Sequence, residues 1–195
     1  MRGACLRLAH WVPHVNAVQA PPALRPWLCE GGSLTARLVA HSEAFRVQRL
    51  HQSTALCLPD EARAIGLARP GRVWEREVLL RCDNEAVVFA HTVVPRSASA
   101  TDWPLFSALG ERSLGSTLFG DPLVRRGALE FARLRAGHPL MQRARARLGA
   151  QLDGHAVLFA RRCLYRRRQG VLLVTELFLP PVLALRVPSS IDNVK

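Results

Sequence analysis

The sequence predicts an α+β fold built on an antiparallel sheet. Two stretches have the pattern of β-hairpins: "VWEREVLLRCDNEAVVFAHTVVP", which begins at Val73, and "AVLFARRCLYRRRQGVLLVTELFLP", which begins at Ala156. In both, apolar runs with strand-like alternation flank a short polar turn. Segments with helical signals lie between the strands, and this arrangement is typical of the α+β class. A chain of 195 residues is long enough for one domain with a substantial core.

The N-terminal third contains two predicted helices around one strand. We expect residues 1–24 to be a loose, proline-rich lead-in, and residues 25–185 to form the domain. Ser33 is positioned to cap a short helix in "SLTARLVAHS". The alternating stretch "AFRVQRLHQ" predicts a strand, and Pro59 followed by two acidic residues predicts a helix start.

The remaining elements follow the two hairpins. We expect the first hairpin to turn at Asp83–Asn84 and "TDWPLFSALG" to form a short capped helix ending at Gly110. The stretch "ERSLGSTLFGDP" predicts a loop with a helical turn, "LVRRGALEFARL" a strand and "HPLMQRARARLGA" a basic amphipathic helix. The second hairpin is expected to turn at Gln169–Gly170, and residues 186–195 to be a polar, disordered tail.

The net charge of +12 has two interpretations. One is an anionic partner such as nucleic acid or a membrane surface; the other, which we favour, is the arginine bias of a GC-rich genome, because Lys195 is the only lysine. Five cysteines in no regular spacing indicate a reducing cytoplasm rather than a disulfide framework. No apolar run reaches the ~20 residues of a membrane span. We therefore expect a cytoplasmic monomer that neither binds nucleic acid nor inserts into a membrane.

Two opposite charges are predicted to point into the interior. In "VLLVTELFLP", Glu176 shares a strand face with apolar residues, and in "VWEREVLL" Arg76 shares its face with Trp74, Val78 and Leu80. One explanation is a buried Arg76–Glu176 ion pair. The other is a ligand pocket with the two groups at opposite ends, in which the guanidinium binds a carboxylate.

The chain resembles the chorismate pyruvate-lyase family. The resemblance depends on "VWEREVLLRCDNEAVVFAHTVVP", on "LGERSLGSTLF" and most of all on "ARRCLYRRRQGVLLVTELFLP", and it covers roughly residues 25–181. It implies a single antiparallel sheet of about six strands, with an internal substrate cavity closed by two helical flaps. It further implies the cleavage of chorismate to 4-hydroxybenzoate and pyruvate, which opens ubiquinone biosynthesis, with no metal and no cofactor.

The resemblance also implies the site residues. The carboxylate-binding arginine of the family matches Arg76, and the glutamate of its TELFLP motif matches Glu176; both are expected to be catalytic and to bind substrate. The backbone N–H of Leu114 is expected to hold the same carboxylate, and a main-chain group of Leu34 to make a further contact. "ARRC" departs from the family's usual G-R-R-S, and Ser113 stands where proline is common.

Several alternatives remain open from the sequence. A non-catalytic sensor domain of the same fold would bind a small acid in the same cavity; such domains normally follow a DNA-binding winged helix, for which residues 1–24 are too short. A nucleic-acid binder would use the arginine-rich stretch 161–168. Arg161 or Arg162 could meet the pyruvyl carboxylate of the substrate. No metal site is expected, because His10 and His14 have Pro13 between them and no evident third ligand.

Overall fold

The computed structural model describes residues 8–98, 101–104 and 106–186, without the side chain of Ser116. One antiparallel sheet of six strands, in the order β1-β2-β3-β6-β5-β4, forms its centre. The strands are β1 (Phe45–Leu56), β2 (Arg72–Cys82), β3 (Glu85–Pro95), β4 (Val124–Arg135), β5 (Val157–Arg167) and β6 (Gly170–Phe178). The predicted α+β class and antiparallel sheet are therefore confirmed.

Five helices accompany the sheet in the described ranges: α1 (Arg25–Leu28), α2 (Leu34–Val39), α3 (Pro59–Ala64), α4 (Leu114–Gly120) and α5 (Pro139–Leu148). Side chains cap the N-termini of three of them. Ser33 accepts a hydrogen bond from a backbone N–H of α2, Ser113 from one of α4 and His138 from one of α5. Short 3-10 turns lie at Val15–Val18, Pro22–Leu24, Arg96–Ala98, Gly149–Leu152 and Pro180–Ala184.

The sheet is buried on both faces. Helices α3 and α5 cover one face, which we call the far face, where Leu79, Phe89 and Leu177 pack against Leu140 and Met141 of α5. The other face carries the N-terminal segments, α2 and α4, and we call it the cavity face. On each strand successive residues alternate between these two faces, so neighbours in the sequence face different chemical environments.

Most predicted elements are present, and three differ. The second hairpin turns at Arg168–Gln169, one residue before the predicted position, and Arg168 takes the left-handed conformation with φ of 51°. The stretch "TDWPLFSALG" was predicted to be a helix, but its described residues form turns. The lead-in is not loose over residues 8–24, because backbone hydrogen bonds join Val12 to Phe131 in both directions and Val18 is buried. The predicted disordered tail lies outside the described residues from position 187 onward.

Among the described residues, no helix combines the length and the apolar character needed to cross a membrane.

Candidate active site

A cavity lies between the cavity face of the sheet and helices α2 and α4. Four strands contribute polar side chains to its lining: Arg76 from β2, Thr92 from β3, Glu176 from β6, and Arg161 and Tyr165 from β5. The rest of the lining is Gly32, Leu34, Thr35, Val47, Val78, Leu80, Ala90, Ser113, Leu114, Gly115, Leu118, Phe119 and Val174. All four residues predicted from the sequence, Arg76, Glu176, Leu114 and Leu34, are in this lining.

Arg76 is a buried cation without a counter-ion. It is 2% exposed, and no carboxylate lies within 4.0 Å of its guanidinium among the residues that the structure describes. Its Nη2 donates to the carbonyls of Gly110 and Arg112, at 3.0 Å each, while its Nε is buried without an acceptor. Burial and the charge of Arg49 lower the pKa of Arg76 to about 10, so the guanidinium is still charged at neutral pH. Such an arrangement attracts an anion.

Glu176 is paired with Arg161, its cross-strand neighbour on β5. Arg161 Nε donates to Glu176 Oε2 at 2.6 Å, and the two side chains are 3% and 18% exposed. The Nη1 of Arg161 also donates to the carbonyls of Trp27, Leu28 and Glu30 at the end of α1. Glu176 is therefore held in one orientation, with Oε1 left for other partners.

The sheet register separates Arg76 from Glu176. Arg76 is opposite Thr92 of β3, and Glu176 is opposite Ala90 of the same strand. Two strand spacings and a two-residue offset put their Cα atoms about 12 Å apart. No ion pair joins these two side chains within the described part of the chain, so the interpretation as an Arg76–Glu176 pair is wrong. A small ring acid fits between groups at this spacing.

Leu114 and Leu34 are the first residues of the two helices that cover the cavity, α4 and α2. The first backbone N–H groups of a helix have no acceptor within the helix and are available to a ligand. A hydrogen bond of 2.6 Å between Thr35 Oγ1 and Ser113 Oγ joins the two helices. The cavity is about 50 Å³, well below the ~300 Å³ of small ligand pockets.

Sequence reasoning did not find the partner of Glu176. It left open whether Arg161 or Arg162 belongs to the site, and the structure places Arg161 on the cavity face. Arg162 points to the far face, where its Nε donates to Glu130 at 2.8 Å and its guanidinium stacks on Trp11. Arg161 and Glu176 are directly opposite in the observed hairpin register, which strand alternation alone does not reveal.

Known structures support the fold. The effector domain of PhnF from Mycobacterium smegmatis superposes with a TM-score of 0.53 at 20% identity, covering 76% of this chain and 89% of that one. A structure described as the PhnF C-terminal domain gives 0.54 at 18% identity, covering 73% and 87%. At these identities the likeness concerns the fold alone.

Sequence relatives are far closer. A protein of Cupriavidus metallidurans named "Probable chorismate pyruvate-lyase" is 47% identical over 183 residues, which cover 93% of this chain and 85% of that protein. A protein of the same name from Ralstonia nicotianae is 50% identical over 163 residues, covering 83% and 84%. The family profile described as Chorismate lyase matches residues 5–187. The chain therefore belongs to the chorismate lyase family of lyase enzymes.

Proposed function

We propose that this chain is a chorismate pyruvate-lyase that converts chorismate to 4-hydroxybenzoate and pyruvate, as the first step of ubiquinone biosynthesis. The observation that carries the proposal is Arg76, a cation that faces an enclosed cavity with no counter-ion among the described residues. Membership of the chorismate lyase family supports the choice of substrate. A substrate carboxylate would supply the missing charge.

In the proposed complex the ring carboxylate lies against Arg76. The guanidinium Nε is free to donate to one carboxylate oxygen, and the backbone N–H of Leu114 would donate to the other. The main chain of Leu34 would contact the ring from α2. The opposite end of the ring would then lie near Glu176, about 12 Å from Arg76 between Cα atoms.

The reaction needs placement of charge more than a strong acid or base. The bond between the ring carbon and the enolpyruvyl oxygen breaks, and the neighbouring hydroxyl-bearing carbon loses its proton. The ring becomes aromatic, and the leaving enolate becomes pyruvate when its methylene carbon takes up a proton. Because aromatisation supplies the driving force, orientation and electrostatic stabilisation suffice for catalysis, and the proposal gives no role to a metal or cofactor.

Glu176 would act as a hydrogen-bond acceptor that orients the hydroxyl-bearing carbon. Its Oε2 is engaged by Arg161. Oε1 can accept from the substrate hydroxyl. The positive charge of Arg161 also lies where negative charge develops on the departing enolpyruvyl group, so it would stabilise that group electrostatically.

We also propose that the protein acts in the cytoplasm as a monomer without a nucleic-acid partner. Four cysteines in the described part of the chain, Cys29, Cys57, Cys82 and Cys163, are free thiols, which suits a reducing compartment. This localisation agrees with a small, water-soluble substrate.

The test is to mix the purified protein with chorismate and follow 4-hydroxybenzoate by its ultraviolet absorbance. We expect conversion that is lost in Arg76→Ala and in Glu176→Gln. Binding of 4-hydroxybenzoate without any turnover of chorismate would favour the sensor alternative. Turnover at the wild-type rate in both variants would overturn the site assignment.

A further inference from the structure

A second group of charged side chains is buried on the far face of the sheet, behind the cavity. It consists of Glu61 of α3, Glu75 and Glu77 of β2, and His91 of β3, which we call the acid–histidine cluster. Their exposures are 2%, 3%, 5% and 1% respectively. Because Glu75 and Glu77 flank Arg76 in the sequence, strand alternation turns them away from the cavity. The proposed reaction does not use them.

The histidine ring of this cluster is surrounded by carboxylate oxygens. His91 Nε2 lies 2.9 Å from Glu61 Oε1 and 3.8 Å from Glu75 Oε2, and His91 Nδ1 lies 3.3 Å from Glu77 Oε1. Both ring nitrogens and Glu61 Oε1 are buried without a hydrogen bond of regular geometry within the described residues. Buried nitrogens in this condition point to a ligand.

The cluster also carries an excess of negative charge. Two of its three carboxylates pair with the guanidinium of Arg143, whose Nη1 is 2.8 Å from both Glu75 Oε2 and Glu77 Oε1. Uncompensated buried charge is costly.

We propose that Glu75, Glu77 and His91 bind a divalent transition-metal ion of the zinc type, with His51 as a fourth ligand. One ligand atom from each of the three buried residues lies within 4.8 Å of the others. Shifts of under about 1 Å would bring them to the ~2.0–2.2 Å bonds that zinc makes to imidazole and carboxylate. His51 Nε2 is 3.6 Å from Glu75 Oε1. A mixed set of imidazole and carboxylate ligands suits zinc better than magnesium.

A route from solvent leads to the cluster. A hollow of about 340 Å³ is lined by His51, Glu75, Glu77, Arg143 and, at its rim, Ala146 and Arg147. The side chain of Arg143 is 32% exposed, so it can swing outward and give up its place between the two glutamates. The ion would tie β2 to β3 beneath α5. Since the site lies on the far face, its role is in stability and it does not depend on the proposed reaction.

The test uses chelator-treated, dialysed protein titrated with Zn²⁺ by calorimetry and with Co²⁺ by visible absorption. We expect one equivalent of Zn²⁺ per chain and d–d bands of a four-coordinate Co²⁺ site. At zinc 100-fold above its Kd, Tm should rise by roughly 5–10 °C, and Mg²⁺ at the same concentration should leave it unchanged. No saturable uptake of either ion would overturn the proposal.

Three variants separate this site from accidental binding elsewhere. Glu75→Gln and His51→Ala should each weaken Zn²⁺ binding at least about tenfold, while Glu130→Gln, which changes an acid half-exposed on β4, should leave it unchanged. Arg143→Gln removes the competing cation, so it should lower Tm of the metal-free protein and yet bind Zn²⁺ several-fold more tightly. Equal zinc affinity in Glu75→Gln, His51→Ala and wild type would place the ion elsewhere, and weaker binding in Arg143→Gln would contradict the proposed competition.

Discussion

Removing the guanidinium of Arg161 is expected to cost far more stability than removing that of its neighbour Arg162. In Arg161→Met, Glu176 loses its 2.6 Å partner and the carbonyls of Leu28 and Glu30 lose donors at 3.2 and 2.9 Å. The pair is 3% and 18% exposed, so little water can replace these bonds. Breaking one side of a buried pair costs about 3–5 kcal/mol.

Arg162→Met is the matched control, with the same change one residue along the same strand. Its Nε partner Glu130 is 40% exposed, and an ion pair to such a group contributes at most about 1 kcal/mol. Its contacts with Asp60 are long, at 3.9 Å to the carboxylate and 3.3 Å to the carbonyl. Loss of stacking on Trp11 adds about 1 kcal/mol. We therefore expect a difference of roughly 2 kcal/mol between the two variants, measured as the free energy of unfolding in urea.

A double-mutant cycle identifies the cause. Glu176→Gln should be destabilising in the wild-type background and close to neutral in Arg161→Met, with a coupling energy of about 1.5–3 kcal/mol. Turnover of chorismate by Arg161→Met, measured well below its Tm, should also fall because Glu176 is no longer held in one orientation. Equal unfolding free energies for the Arg161 and Arg162 variants, or a coupling energy near zero, would refute the reasoning.

Three further predictions concern the cavity and its surroundings. Arg76→Gln should weaken 4-hydroxybenzoate binding, measured by calorimetry, about 100-fold because a charge-assisted pair is lost. The unfolding free energy of this variant should stay within about 1 kcal/mol of wild type, since a buried uncompensated charge is also removed. Gly115→Ala places a Cβ 2.8 Å from Thr35 Oγ1, so it should loosen the α2–α4 contact and speed product dissociation in stopped-flow measurements, whereas Gly120→Ala, which meets nothing within 4 Å, should not. Burial lowers the pKa of His138, so the unfolded state binds a proton more readily, and the unfolding free energy should fall as pH drops below about 6.5. The variant His138→Asn keeps a cap on α5 and should lose this part of the pH dependence. An unchanged slope of unfolding free energy against pH in His138→Asn would contradict the prediction.

Local pattern was sufficient to predict the sheet. Strand alternation and turn residues gave both hairpins, and alternation alone turned Arg76 and Glu176 to the same face. The shift of the second turn to Arg168–Gln169 shows its limit, because glycine suggested the left-handed position and Arg168 takes it instead. Residues 8–24 were predicted to be loose since their contacts, such as Val12 with Phe131, join positions far apart in the sequence.

Long-range pairing also explains what was missed at the two charged sites. The pairing of Arg161 with Glu176 can be recognised only once the hairpin register is known. The acid–histidine cluster draws Glu61 from a helix and His91 from another strand, whereas the sequence analysis considered only the pair His10 and His14 and expected no metal site. Side chains that meet through the fold leave no spacing signal in a single sequence.

The most direct test of the central claim measures which end of the ligand each charge recognises. Calorimetric affinities of 4-hydroxybenzoate, benzoate and phenol would be compared for wild type, Arg76→Gln and Glu176→Gln. Arg76 binding the carboxylate predicts that replacing 4-hydroxybenzoate by phenol is costly in wild type and nearly free in Arg76→Gln. Glu176 binding the hydroxyl predicts the same pattern for benzoate in Glu176→Gln. If each variant still discriminates among the three ligands as wild type does, the ring acid does not lie between these two residues.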